Sequence, residues 1–105
     1  MKAIENTEDF NSLLAKEKPI FLDFYADWCG PCQTLLPIVE SLSEEFKNRI
    51  EIRKVDVDQN RELAAHFQVR SIPALFFIKN SEIIDKQTGL ISKSKLRKKI
   101  EALLN

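Results

Sequence analysis

Glycine is scarce in this chain: Gly30 and Gly89 are the only two in 105 residues. Glycine reaches positive φ without steric cost, so the chain has fewer flexible turns at its disposal than a domain of this size usually carries. A surplus of one charge is missing too. The 16 basic and 16 acidic residues cancel, so no overall field draws the chain to nucleic acid or to a membrane surface, and local patches must select its partners. No stretch approaches the ~18 consecutive apolar residues of a membrane span. The start, Met1-Lys2-Ala3-Ile4-Glu5, turns polar before it could form the apolar run of about 7–15 residues that marks a signal peptide. Those absences point to the cytoplasm, with no membrane and no nucleic acid as partner. Repeats, linkers and low-complexity segments are absent as well. The chain does have 44% apolar residues, enough for a sizeable core, and its length fits one domain over residues 1–105.

Cysteine is also rare, and its placement organises the rest. The only two cysteines and the only tryptophan fall together in Trp28-Cys29-Gly30-Pro31-Cys32, after an apolar run and before a helical pattern. The first N–H groups of a helix have no internal partner, and the macrodipole adds partial positive charge there. A thiolate at Cys29 is therefore stabilised and its pKa lowered. Cys32 lies one helical turn on and deeper against the helix, so Cys29 reads as the attacking sulfur and Cys32 as the resolving one. Pro31 suits the first turn of a helix, and Gly30 lets the backbone turn tightly. In a reducing compartment such a pair argues for a transient, catalytic disulfide. Two plainer readings compete. Cys-x-x-Cys is half of a zinc site, but His66 is the one further ligand on offer, so no metal is expected. Inert buried cysteines are common, yet a position flanking Gly-Pro at a helix start does not suit them.

Along the chain, Lys2-Ala3-Ile4 is a short edge strand. Asn6 or Thr7 caps a helix with Glu8 and Asp9 in its first turn and Phe10, Leu13 and Leu14 as its apolar stripe; Lys16-Glu17-Lys18-Pro19 ends it. Ile20 to Ala26 is apolar on both faces except at Asp23, the pattern of a central strand covered on each side. A carboxyl there pays for desolvation as an anion, so its pKa rises, and a buried acid just before a redox pair is a candidate proton acceptor. The plainer alternative is a solvated acid at a strand end. After Cys32, the residues Leu35, Leu36, Ile38, Val39, Leu42 and Phe46 recur at helical spacing. Pro37 falls inside that helix and kinks it, or else divides it into two.

Ile50 to Val57 reads as a strand in which Lys54 shares a face with Ile50 and Ile52, so Asp23 is its partner unless the lysine snorkels to solvent. Leu63, Ala64 and Phe67 mark a short helix carrying His66, an exposed or packing histidine. Ala74 to Ile78 is a strongly apolar strand, and Lys79-Asn80-Ser81-Glu82 turns it into an antiparallel hairpin with Ile83 to Gln87. Gly89 serves either close backbone approach near the site or a simple turn. Ser92 caps the last helix, in which Leu96, Ile100, Leu103 and Leu104 are buried and Lys93, Lys95, Arg97, Lys98 and Lys99 form a basic outer face. Without interleaved aromatics that face reads as solvated. The order β, α, β, α, β, α, β, β, α fits a mixed central sheet of four to five strands flanked by helices on both faces. No surface stripe is left over, which suggests a monomer.

Four stretches resemble the thioredoxins in order along nearly the whole chain: Asp23-Phe24-Tyr25-Ala26-Asp27-Trp28-Cys29-Gly30-Pro31-Cys32, Val55-Asp56-Val57-Asp58-Gln59-Asn60, Val69-Arg70-Ser71-Ile72-Pro73-Ala74, and Gly89 before the last helix. The resemblance implies the thioredoxin fold and a protein dithiol-disulfide oxidoreductase. It implies that Asp23 helps deprotonate Cys32, that Lys54 lies near Asp23, and that Asp58 bonds the Trp28 side chain, although Asp58 or Asn60 could equally be a helix cap. It further implies a kink at Pro37 and a cis bond at Pro73 facing the cysteines, with Ile72 offering a strand-like contact to an incoming peptide. Trp28, Gly30, Pro31, Ile72, Pro73 and Gly89 then form a shallow apolar patch for disulfide-containing target proteins. No cofactor is expected to be bound; electrons come from NADPH through a flavoprotein thioredoxin reductase. Tyr25 stands where the family mostly has tryptophan, Gln33 where lysine or arginine is common, and Ser81 where a turn glycine is frequent. Two other readings remain: an oxidising or isomerising enzyme on the same fold, and an accessory subunit that binds without turnover and does not need Asp23.

Overall fold

The computed structural model describes residues 1–105. Its elements are β1 (Lys2–Ala3), α1 (Thr7–Leu14), β2 (Ile20–Tyr25), α2 (Gly30–Glu45), β3 (Glu51–Asp56), α3 (Arg61–His66), β4 (Ala74–Lys79), β5 (Glu82–Thr88) and α4 (Lys93–Glu101), with a 3-10 turn over Ala102–Leu104. The sheet runs β1-β3-β2-β4-β5. β3 is parallel to both β1 and β2, whereas β4 is antiparallel to β2 and β5. From β1 to β2 the chain steps one way across the sheet, and from β2 to β3 it steps back. Crossovers of one hand therefore put α1 and α2 on opposite faces.

Strand parity sorts the core accordingly. Ile20, Leu22 and Phe24 pack with Phe10 and Leu13 of α1 and with Leu63 and Phe67 around α3. Phe21 packs on the other face with Leu35, Val39 and Leu42 of α2 and Leu96 and Ile100 of α4. All six residues of β2 are buried, because this strand has a neighbour at each edge and helices on both sides. Asp23 shares the parity of Phe21 and so faces the α2 layer. The α2 helix runs unbroken through Pro37, so it is one element and not two.

Five non-glycine residues do the turning that the glycine count left unexplained: Glu17, Asn48, Gln68, Asn80 and Ser81 all have positive φ. At the end of α3, Gln68 N–H donates to Ala65 O and Val69 N–H to Ala64 O, both at 3.0 Å. That is the paired closure usually built on glycine. In the β4–β5 hairpin, Asn80 and Ser81 have φ of 53° and 63°, which makes the two-residue loop a type I′ turn whose twist matches the strands. Asn6 caps α1 by accepting from Asp9 N–H at 2.9 Å. Ser92 caps α4 by accepting from Lys95 N–H at 3.3 Å. No helix is long and apolar enough to cross a membrane.

Candidate active site

β2 ends in a turn in which Cys29 N–H donates to Ala26 O at 3.2 Å. Cys29 then occupies the N-cap of α2, and its sulfur accepts from Cys32 N–H at 3.3 Å. Cys29 and Cys32 are joined as a disulfide, with their Cα atoms 5.3 Å apart. Cys32 is wholly enclosed, while Cys29 keeps 6% of its surface. Only the first sulfur can meet another molecule. In the reduced protein, the N–H that points at Cys29 Sγ lies where a thiolate gains most from a charge-assisted hydrogen bond. Pro31 sits in the first turn of α2, where it has no partner to lose. Gly30 departs from its expected role. Its φ is not positive, and a Cβ there would meet no atom within 4 Å. What the glycine leaves is open space in front of the cysteines.

Asp23 is fully buried, and neither carboxyl oxygen has a hydrogen-bond partner. Burial pushes its pKa up from 3.8 to about 7, against a smaller opposing pull from Lys54. Asp23 and Lys54 face each other in register across β2 and β3. They form no direct ion pair, however: the Lys54 ammonium stands 5.8 Å from the Tyr25 ring centroid, over its face. Burial, and then Asp56, Asp27 and Asp23, push the Tyr25 hydroxyl upward in turn. Two residues beyond Asp23 on the same face, Tyr25 packs with Ala26, Cys29 and Cys32.

Around the cysteines, Trp28 is 72% exposed, and its indole N–H donates to Asp58 Oδ2 at 2.8 Å. Asp58 does not cap α3. Nor does Asn60 use its side chain as a cap, since its amide donates to Ile4 O and Asp56 O at 3.2 and 3.0 Å. The Ile72–Pro73 bond is cis. Ile72 O lies 3.9 Å from Cys29 Sγ, and Ile72 N–H has no partner within the protein. Gly89 N–H donates to Pro73 O at 2.9 Å. Its φ is +79°, and a Cβ would meet nothing within 4 Å, so backbone conformation, and not close approach, calls for glycine there. His66 is exposed, its ring against Phe67, and no three His, Cys, Asp or Glu side chains converge as a metal site.

Two neighbours of the sulfurs are not assigned to the site by the sequence, and a third has a role beyond the one it suggests. Leu36 and Val57 pack against the cysteine cluster. Their apolar character was visible, but their position beside the sulfurs depends on the fold. Gln33 read only as a lost positive charge, yet its amide spans back to Ala26 O and Asp27 O at 3.4 and 3.5 Å, tying the first turn of α2 to the loop before it.

The Thioredoxin family model matches residues 2–102. The thioredoxin of Haemophilus influenzae is 42% identical over 92 residues, covering 87% of this chain and 86% of that protein. That of Mycoplasmoides gallisepticum is 40% identical over 97 residues, covering 92% and 96%. Among solved structures, Fasciola hepatica thioredoxin superimposes with a TM-score of 0.88 at 38% identity, covering 97% of this chain and 98% of that one.

Proposed function

The chain belongs to the thioredoxin family, and on that premise we propose how its residues divide the work of a protein dithiol-disulfide oxidoreductase. The Cys29 thiolate attacks a target disulfide, forming a mixed disulfide and releasing one target thiolate. Cys32 gives its proton to the Asp23 carboxylate and attacks Cys29 Sγ. The second target thiolate leaves, two electrons have passed to the target, and Cys29 and Cys32 are joined. A base with a pKa of about 7 suits this step, since it is partly ionised near neutral pH and still holds a proton well. Lys54 favours the ionised form of Asp23, while Asp58 steadies Trp28 and Pro37 shapes α2.

Targets lie across Trp28, Gly30, Pro31, Ile72, Pro73 and Gly89, pairing with the free N–H of Ile72 as an added strand. The protein acts as a single-domain monomer in the cytoplasm and is returned to the dithiol by a flavoprotein thioredoxin reductase that draws on NADPH.

The single observation that carries the reading is the difference in access between the two sulfurs, one at the surface on a helix N-terminus and one enclosed. The test is covalent trapping. A Cys32→Ser variant is expected to accumulate a mixed disulfide with a disulfide-bearing protein, and Cys29→Ser to accumulate none. Equal trapping by both variants would contradict the assignment of attacking and resolving roles.

A further inference from the structure

The basic outer face of α4 has no part in the redox chemistry, and its cations are not equivalent. Arg97 holds Glu45 at 2.9 Å, Lys99 holds Asp85 at 2.8 Å, and Lys93 donates to Ser41 Oγ at 2.7 Å. Lys95 and Lys98 have no acidic partner. These two, with Lys99, Gln87, Leu90 and Ile91, line an open recess of about 460 Å³ between the end of β5 and α4. Leu90 is 57% exposed there, an apolar side chain beside ammonium groups that have no acidic partner.

Through Leu90 the recess is one residue along the chain from the segment that borders the sulfur site. Leu90 follows Gly89, whose N–H holds Pro73 O at 2.9 Å, and the neighbouring Ile72 O stands 3.9 Å from Cys29 Sγ. Leu90 thus stands next to the Gly89 contact with the Ile72–Pro73 segment, and it lines the same recess as Lys95 and Lys98.

Resting on the reductase reading above, we propose that this recess docks an acidic segment of the disulfide-bearing target, a few residues from its reactive cysteine. An apolar side chain of that segment covers Leu90, and carboxylates meet Lys95 and Lys98. Because the chain has no net charge, the attraction is confined to the recess. It therefore selects where an acid stands in the target and does not draw in polyanions at large. A single-stranded nucleic-acid surface would place aromatic platforms between the cations, and α4 has none.

The test uses two disulfide-linked reporter peptides that differ only in carrying glutamate or glutamine a few residues from the reactive cysteine. The full chain is expected to reduce the glutamate peptide with a kcat/KM about threefold to tenfold higher, the effect of two rim charge contacts. That preference should vanish at about 1 M salt and in the K95Q/K98Q double variant. Equal kcat/KM for the two peptides in the unaltered protein, or a preference that survives the double substitution, would overturn the proposal. So would a short oligonucleotide that binds these lysines in a protein showing no peptide preference. Failure to reduce either peptide would overturn the reductase reading itself, and so the two failures are distinguishable.

Discussion

Neither oxygen of the Asp23 carboxyl has a hydrogen-bond partner, so each proton lost there leaves a charge among apolar neighbours. Its pKa lies at about 7 in the fold against 3.8 in the open chain, which means the folded state binds the proton more tightly than the unfolded state. Stability is therefore fully present below about pH 4 and is lost as pH rises through 7. Asp23→Asn removes the charge, and the oxidised variant should gain on the parent by a few kcal/mol, at most about 4, at pH 8 and by little at pH 4. Urea unfolding across that range reads the gap; a gap that does not widen with pH would contradict the burial argument. The same variant should resolve mixed disulfides at least about tenfold more slowly, measured as release of the second target thiol by stopped flow. An accessory subunit that only binds would show no such change.

Among the elements, the starts of α1 and α4 are legible in the sequence, whereas the start of α3 and the ends of α2 and α3 are not. Asn6 and Ser92 carry side chains that accept from the third residue on, a local pattern visible in any sequence. The ends lack the glycine that usually marks them, and the exposed Glu17, Asn48 and Gln68 enter the left-handed region instead; backbone closures such as Val69 N–H to Ala64 O have no side-chain pattern to announce them. Gln68→Gly and Ser81→Gly should each raise stability by about 0.5–1 kcal/mol, visible as a higher urea midpoint with unchanged slope. A loss of stability at either site would contradict the positive-φ account.

Strand parity did place Lys54 on the inner face, but the four-carbon stem of a lysine reaches where the local field and packing allow. The ammonium went to the Tyr25 ring. The bond from Trp28 to Asp58 spans 30 residues of sequence. No periodicity announces such a contact, and only likeness to a family suggested it.

Over the whole molecule, β2 separates two cores, and the sulfurs sit in a third, smaller cluster at its end. Stability and redox chemistry are thereby partly separable. Leu96 is wholly buried in the α2–α4 layer and does not join the cysteine cluster. Leu96→Ala should cost about 2–5 kcal/mol while leaving the rate of disulfide reduction, measured well below the unfolding transition, close to that of the parent. A parallel fall in rate would show that the two layers are coupled.

If the Cys29–Cys32 pair works as a reductant, its reduction potential must show it. Equilibrating the protein against buffers of reduced and oxidised glutathione and measuring the fraction joined gives its reduction potential. The expected potential is more negative than that of the glutathione pool, so that the dithiol passes its electrons to ordinary protein disulfides. A potential well above that of glutathione would contradict it and make the same fold an oxidant or an isomerase.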